Sequence, residues 1–234
     1  MLKNVSFSIS SGEILGVAAV EGNGQSELIE VLTGLRNRTS GEISIGGTSV
    51  SQRRDEIPLA HIPEDRLKHG LVLDFTLEEN FILGRQREPV YSSWSGLNRT
   101  KMKQDAVRYI QQYHIYTPSE MSRAKELSGG NQQKVVIARE LSKNANVIIA
   151  CHPTRGLDVG ATEFVHNALL QERNQGKAVL LVSSDLSELL TLSDRVAVLF
   201  NGEIVKVVNA NETSERELGL YMTGAARTND INVN

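Results

Sequence analysis

At 234 residues with 40% apolar content, the chain is long enough for one large domain or two small ones and can bury a core beneath a charged surface. Its 25 basic and 28 acidic residues give a formal charge of -3, which leaves no positive excess for a nucleic acid backbone or an anionic lipid surface. The single cysteine, Cys151, excludes an internal disulfide, and no apolar run approaches the roughly 20 residues of a spanning helix.

The first residues, M-L-K-N-V-S-F-S-I-S, alternate Val5, Phe7 and Ile9 with polar neighbours. That is a strand pattern and not the apolar centre of a signal peptide, so a reducing cytosol is the expected compartment. S-S-G makes a turn, and I-L-G-V-A-A-V reads as a strand covered on both faces. After a glycine-rich loop, S-E-L-I-E-V-L-T-G-L predicts a helix with Leu28, Val31 and Leu32 on one face and Gly34 as its stop. Beyond G-E-I-S-I-G-G, the stretch I-P-L-A-H-I-P predicts another buried strand, closed by Pro63 and the charged run E-D-R-L-K-H-G. Thr76 and Glu79 have the spacing of a capping box for a helix starting near Leu77.

From about 88 to 128 the chain is more polar and reads as mostly helical, an inserted subdomain. Apolar strands return at N-V-I-I-A, K-A-V-L-L-V-S and R-V-A-V-L-F, the last followed by the hairpin dipeptide Asn201-Gly202. Strands alternating with helical patterns predict an α/β fold, a mainly parallel sheet covered by helices. From about Gly224 the tail loses all periodicity and is expected to be disordered.

Two stretches carry chemistry. Ala19 to Ser26, A-V-E-G-N-G-Q-S, follows a strand and opens a helix in the frame G-x-x-x-x-G-K-[ST], whose backbone N–H groups cradle phosphates. Ala19 stands for the first glycine and Gln25 for the lysine. A neutral amide in place of that ammonium costs about 1 to 2 kcal/mol of phosphate binding. By itself the stretch also fits an ordinary glycine turn. The second, E-L-S-G-G-N-Q-Q-K-V-V-I-A-R-E, sets Ser128, Gly129 and Gly130 before a helix containing Val135, Val136 and Ile137, a second place where N–H groups face an anion.

L-S-G-G-N-Q-Q-K resembles the signature motif of the nucleotide-binding domain of ABC transporters, with an ending typical of sugar and nucleoside importers. The resemblance spans nearly the whole chain and implies the ABC ATPase architecture, a P-loop core with an antiparallel β edge and an inserted helical subdomain. It divides the chain into core residues 1–87, a helical subdomain at 88–128, further core at 129–223 and a tail at 224–234. It also assigns Glu21, Gly22, Asn23, Gly24, Gln25, Ser26 and Glu27 to ATP, with Ser26 as a weak magnesium ligand. The signature is Leu127, Ser128, Gly129, Gly130, Asn131 and Gln132, and the D-loop is Gly156, Leu157 and Asp158 within T-R-G-L-D.

The departures from the family are concentrated where it does chemistry. Cys151 and His152 in V-I-I-A-C-H-P-T stand where the magnesium aspartate and the catalytic glutamate belong. Ser184 replaces the switch histidine, and Glu64 replaces the glutamine that senses metal and membrane subunits. Magnesium prefers hard oxygen ligands, so a thiol substitutes poorly. Cys151 reads best as a small core hydrophobe, and His61, His69, His114 and His166 show no ligand spacing.

ABC domains pair head to tail, each nucleotide lying between one partner's phosphate loop and the other's signature. A degraded loop beside an intact signature therefore implies a chain that completes its partner's site, with Mg2+ bound there, while its own site holds ATP weakly or structurally. The resemblance further implies the second half of a tandem ATPase, partnered by an N-terminal ATPase half of the same polypeptide. That half, the permease subunits and, indirectly, a substrate-binding protein would be the partners, at the cytoplasmic face of the plasma membrane, with no nucleic acid. A complete domain begins with a further strand and an adenine-stacking aromatic before Leu2, so the chain is expected to be a fragment. H-I-P-E-D-R-L-K-H-G and H-P-T-R-G-L-D-V-G look most like nucleoside importers, with ribose and galactose importers as the close alternative and a module that binds no nucleotide as a third.

Overall fold

The computed structural model describes residues 2–50, 59–94 and 96–225. The chain divides into two compact units: the described parts of Met1–His61, Ala145–His152 and Ala168–Asn234, and those of Ile62–Asn144 and Pro153–Asn167. The second unit starts before and ends after the 88–128 subdomain expected from the sequence. The tail expected to be disordered lies, from 226 onward, outside the described residues.

The first unit is built on a six-stranded sheet. Its first strand, β1 (Ile14–Ala18), is buried at every position and leads through the glycine loop to helix α1 (Gln25–Leu32). A small hairpin of β2 (Ser44–Ile45) and β3 (Thr48–Ser49) follows, turning at Gly46 and Gly47, both of positive φ. The remaining strands are β4 (Leu59–Ile62), β7 (Val147–Cys151), β8 (Ala178–Ser183), β9 (Arg195–Phe200) and β10 (Glu203–Asn209), in the order β10-β9-β1-β8-β7-β4. β1 pairs in parallel with both β8 and β9, β7 pairs in parallel with β8, and β10 returns antiparallel to β9. This is the mainly parallel sheet that the alternating pattern predicts, with the antiparallel edge that the resemblance implies.

On one face Leu15, Val17, Leu28, Ile149, Cys151, Leu180, Val182 and Leu199 form a continuous core. On the other, helix α6 (Leu186–Leu192) packs on β1 so closely that a Cβ at Gly16 would lie 2.5 Å from Ser193 Oγ and 3.0 Å from Leu189 Cδ2. Helix α7 (Glu215–Met222) closes the unit, contacting β9 and α6.

Two expectations need correction here. Residues 2–10 form no strand, because alternation places Leu2, Val5, Phe7 and Ile9 against the core without giving their backbone a ladder partner. In α1 the buried apolar residues are Leu28 and Ile29, while Val31 and Leu32 are half-buried, a rotation of the predicted face by about one residue.

In the second unit a π-helical turn, Arg66–Gly70, precedes α2 (Leu77–Phe81), whose capping box is made as predicted: Thr76 Oγ1 accepts from Glu79 N at 3.3 Å and Glu79 Oε2 accepts from Thr76 N at 3.1 Å. The region 88–128 is less helical than expected. It contains the short hairpin β5 (Ser92–Ser93) and β6 (Gly96–Leu97), then a single long helix, α3 (Arg99–Gln112), capped by Asn98. Gly96 at φ 116 and His114 at φ 49 lie beyond its two ends, and neither conformation continues a helix. Phe81 and Tyr109 stack at 5.3 Å between α2 and α3, and buried Asp105 accepts from Tyr91 Oη at 2.8 Å and pairs with Lys101 and Arg108, each at 2.9 Å. Helix α4 (Gly129–Leu141) packs on α2, and α5 (Val159–Asn174) begins in this unit.

Candidate functional site: a phosphate loop and a signature loop

The phosphate loop joins β1 to α1 within the first unit. Gly22 and Gly24 take φ values of 90 and 106, which side-chain-bearing residues rarely adopt, and Gly24 is the N-cap of α1 without a side-chain cap of its own. A Cβ at Gly24 would lie 3.0 Å from Leu2 Cδ2 and 3.4 Å from Gly202 Cα, so close approach reinforces the conformational need. The loop is braced by the β9–β10 turn: Asn23 Oδ1 accepts from Asn201 N at 3.1 Å and Asn23 O from Gly202 N at 2.9 Å. Asn23 and Gln25 are 7% and 8% exposed, yet Asn23 Nδ2 and Gln25 Oε1 are buried without a hydrogen-bond partner. Glu21 and Ser26 are exposed and Glu27 is half-buried.

The residues expected to stand at catalytic positions, Cys151, His152 and Ser184, lie at the ends of β7 and β8. Cys151 is 5% exposed and belongs to the apolar core, as a small hydrophobe would. His152 takes a left-handed φ of 41 while its N–H donates to Val182 O at 2.8 Å. Ser183 is buried, donating to Glu188 Oε2 at 2.6 Å, and Ser184 is exposed. Among the described residues no group of three or more His, Cys, Asp or Glu is placed to hold a metal ion.

The signature loop lies in the second unit. Ser128 caps α4, its Oγ accepting from Asn131 N at 3.4 Å and Asn131 Nδ2 at 3.0 Å. Asn131 Oδ1 then accepts from Tyr116 N at 2.8 Å, and buried Gln132 donates to Ala124 O at 3.1 Å. Leu127 is buried beneath the loop. Space around both glycines is tight: a Cβ at Gly129 would lie 2.8 Å from the mobile end of the Arg66 side chain at Nη2, and one at Gly130 would lie 3.0 Å from Ala161 Cβ and 3.6 Å from Asp158 Oδ2.

Gly156 turns the next segment at φ 69, and Asp158 caps α5 by accepting from Ala161 N at 2.8 Å. Glu64 is exposed and forms an ion pair with Arg155. The brace at Asn201 and the contacts of Arg66, Gln133 and Arg155 were not read from the sequence, because nothing periodic marks a long-range partner.

The model of the ABC transporter family matches residues 2–155. The chain belongs to the ABC transporter family. It is 48% identical over 230 residues to the guanosine import ATP-binding protein NupO of Bacillus subtilis, covering 97% of this chain and 45% of that protein. The nucleoside import ATP-binding protein NupA of Lactococcus lactis is 41% identical, covering 95% of the chain and 45% of that protein. The ribose import ATP-binding protein RbsA of Halalkalibacterium halodurans is 36% identical over the same shares of each chain. The chain thus spans about half the length of the curated relatives it matches.

The fold agrees with that of an ATP-binding cassette solved as a dimer in a post-hydrolysis state with ADP and Pi, at a TM-score of 0.73 and 23% identity, covering 89% of this chain and 90% of that one. An ATP-binding subunit of an ABC transporter superposes with a TM-score of 0.76 at 22% identity, covering 95% of this chain and 92% of that one.

Within this ABC domain the phosphate loop fits a phosphate. Its glycines open the backbone, a helix N-terminus faces the loop, and the buried Asn23 amide has a donor with nothing to bond. The same unit does not fit a magnesium ion, because a buried thiol ends β7 beside the loop and no group of three or more His, Cys, Asp or Glu among the described residues is placed to hold a metal. Among the described residues no helix is long and apolar enough to cross a membrane.

Proposed function

We propose that this chain is the ATP-binding domain of an importer in which it serves as the degenerate C-terminal half of a tandem ATPase, at the cytoplasmic face of the membrane. Its own loop holds nucleotide weakly or structurally. Its signature loop, led by Ser128, closes over the nucleotide and Mg2+ held by an N-terminal half of the same polypeptide. Permease subunits receive the motion, and a substrate-binding protein delivers the solute to them. The observation that carries this reading is the contrast between the two loops: the signature is capped and packed tightly around both glycines, whereas the metal position beside the phosphate loop is filled by core-buried Cys151.

Bound ATP would supply the phosphoryl group. This chain's part would be to aim backbone N–H groups and the Ser128 hydroxyl at the charge that develops during transfer. Nucleosides are the proposed cargo, supported by the 48% and 41% identity to guanosine and nucleoside import proteins. A ribose-type sugar is the second reading, supported by the 36% identity to a ribose import protein.

The test compares two variants in the assembled transporter. Ser128→Arg should abolish ATP turnover and transport while ATP binding to the partner half persists. Gln25→Ala, confined to the degenerate loop, should lower turnover less than about threefold. Equal loss in both would make this half a catalytic equal of its partner and overturn the assignment.

A further inference from the structure

The segment carrying Glu64 and Arg66 holds Arg155 at two points. The Arg155 guanidinium donates to Glu64 Oε1, and its carbonyl accepts from Arg66 Nη1 at 3.2 Å. Two residues earlier, Pro153 O accepts from buried Gln133 Nε2 of α4 at 2.8 Å. Arg66 also reaches the signature, since its Nη2 occupies the space a Cβ on Gly129 would take, 2.8 Å away. Asp158 Oδ2 borders the same space at Gly130, 3.6 Å from a Cβ there. The segment 153–158 is therefore held at Pro153 and Arg155, while the signature glycines lie between Arg66 and Asp158. A planar guanidinium can donate to a carbonyl with one nitrogen while another fills the space beside a glycine that lacks a Cβ, which a single ammonium cannot do.

We propose that Glu64, Arg66 and Arg155 are positioning residues that hold the signature loop and the adjacent Gly156–Asp158 segment in register. This rests on the reading that Ser128 faces the partner's nucleotide. The three residues act through backbone placement: Glu64 fixes the side chain of Arg155, Arg66 fixes its carbonyl, and Arg66 in turn fills the space beside Gly129. A displacement of about 1 Å in such a donor set costs on the order of 100-fold in rate, so small contacts have a large lever. The Glu64 and Arg155 side chains are 39% and 60% exposed, so their ion pair contributes little to folding and its loss leaves a folded domain.

The test uses the assembled transporter and measures kcat, KM for ATP and the melting temperature. Glu64→Arg and Arg155→Glu should each lower kcat about tenfold with KM changed less than about twofold, and the double charge reversal should recover to within about threefold. Arg66→Ala should lower kcat similarly, and Arg66→Lys should not restore it, because the charge alone does not make the bridge. Unchanged kcat in the single variants, or a folded double variant that fails to recover, would overturn the proposal. Ser128→Arg measured alongside separates the two failures. If it abolishes turnover while the network variants are silent, the network alone is wrong; if it too is silent, the reading of the signature falls and the proposal with it.

Discussion

Gln25 places a buried amide where a phosphate loop of this frame carries an ammonium, and its Oε1 has no hydrogen-bond partner. A half-turn of the amide presents Nε2 to an anion instead, so the residue remains a usable neutral donor. Gln25→Lys should therefore tighten ATP binding by about tenfold, the equivalent of roughly 1.4 kcal/mol from one charge-assisted bond. Isothermal calorimetry on the purified chain checks this, and unchanged affinity would mean the loop is not shaped around phosphate. In the sequence Ala19, Gln25, Cys151, His152 and Ser184 stand out because each departs from a motif frame that is fixed by spacing alone. The left-handed φ of 41 at His152 was not legible, since it is imposed by where β7 ends and the chain turns.

Elements whose signals are local were read well from the sequence, and those that depend on distant partners were read less well. The capping box at Thr76 and the type of each apolar strand follow from neighbours in sequence. The failure of residues 2–10 to join the sheet depends on which edges remain open, which alternation does not encode. Helix α3 illustrates a further element-scale property. Asp105 is held below the ordinary carboxylate range: burial opposes ionisation, but hydrogen bonds from Lys101 and Tyr91 and the charges of Arg108 and Lys101 outweigh it.

A carboxylate whose folded pKa is depressed stabilises the fold above its unfolded pKa of about 3.9 and loses that contribution as pH falls through the folded value. Asp105→Asn should therefore destabilise by about 1 to 3 kcal/mol at pH 7, with the difference from the parent shrinking below about pH 4. Urea titrations at pH 7 and pH 3 read it out, and a difference that grows on acidification would contradict the assignment.

For the whole molecule, the joint replacement at Gln25, Cys151, His152 and Ser184 predicts that the purified chain turns over ATP no faster than a denatured control. Magnesium-dependent turnover that survives purification and disappears in His152→Ala would refute this. The arrangement of the sheet has another consequence, for the order in which the protein is made. β1 lies between β8 and β9, and the phosphate loop is braced by an Asn23–Asn201 bond spanning 178 residues. At roughly 5 to 20 residues per second, about 10 to 35 s of synthesis separate a nascent β1 from the turn that braces its loop. Until β8 emerges at Ala178–Ser183, which takes up most of that interval, a fully apolar strand has neither of its ladder neighbours. The first unit therefore matures only after nearly all of its chain has left the ribosome, and its glycine loop, though translated early within that unit, is among the last of its parts to take shape.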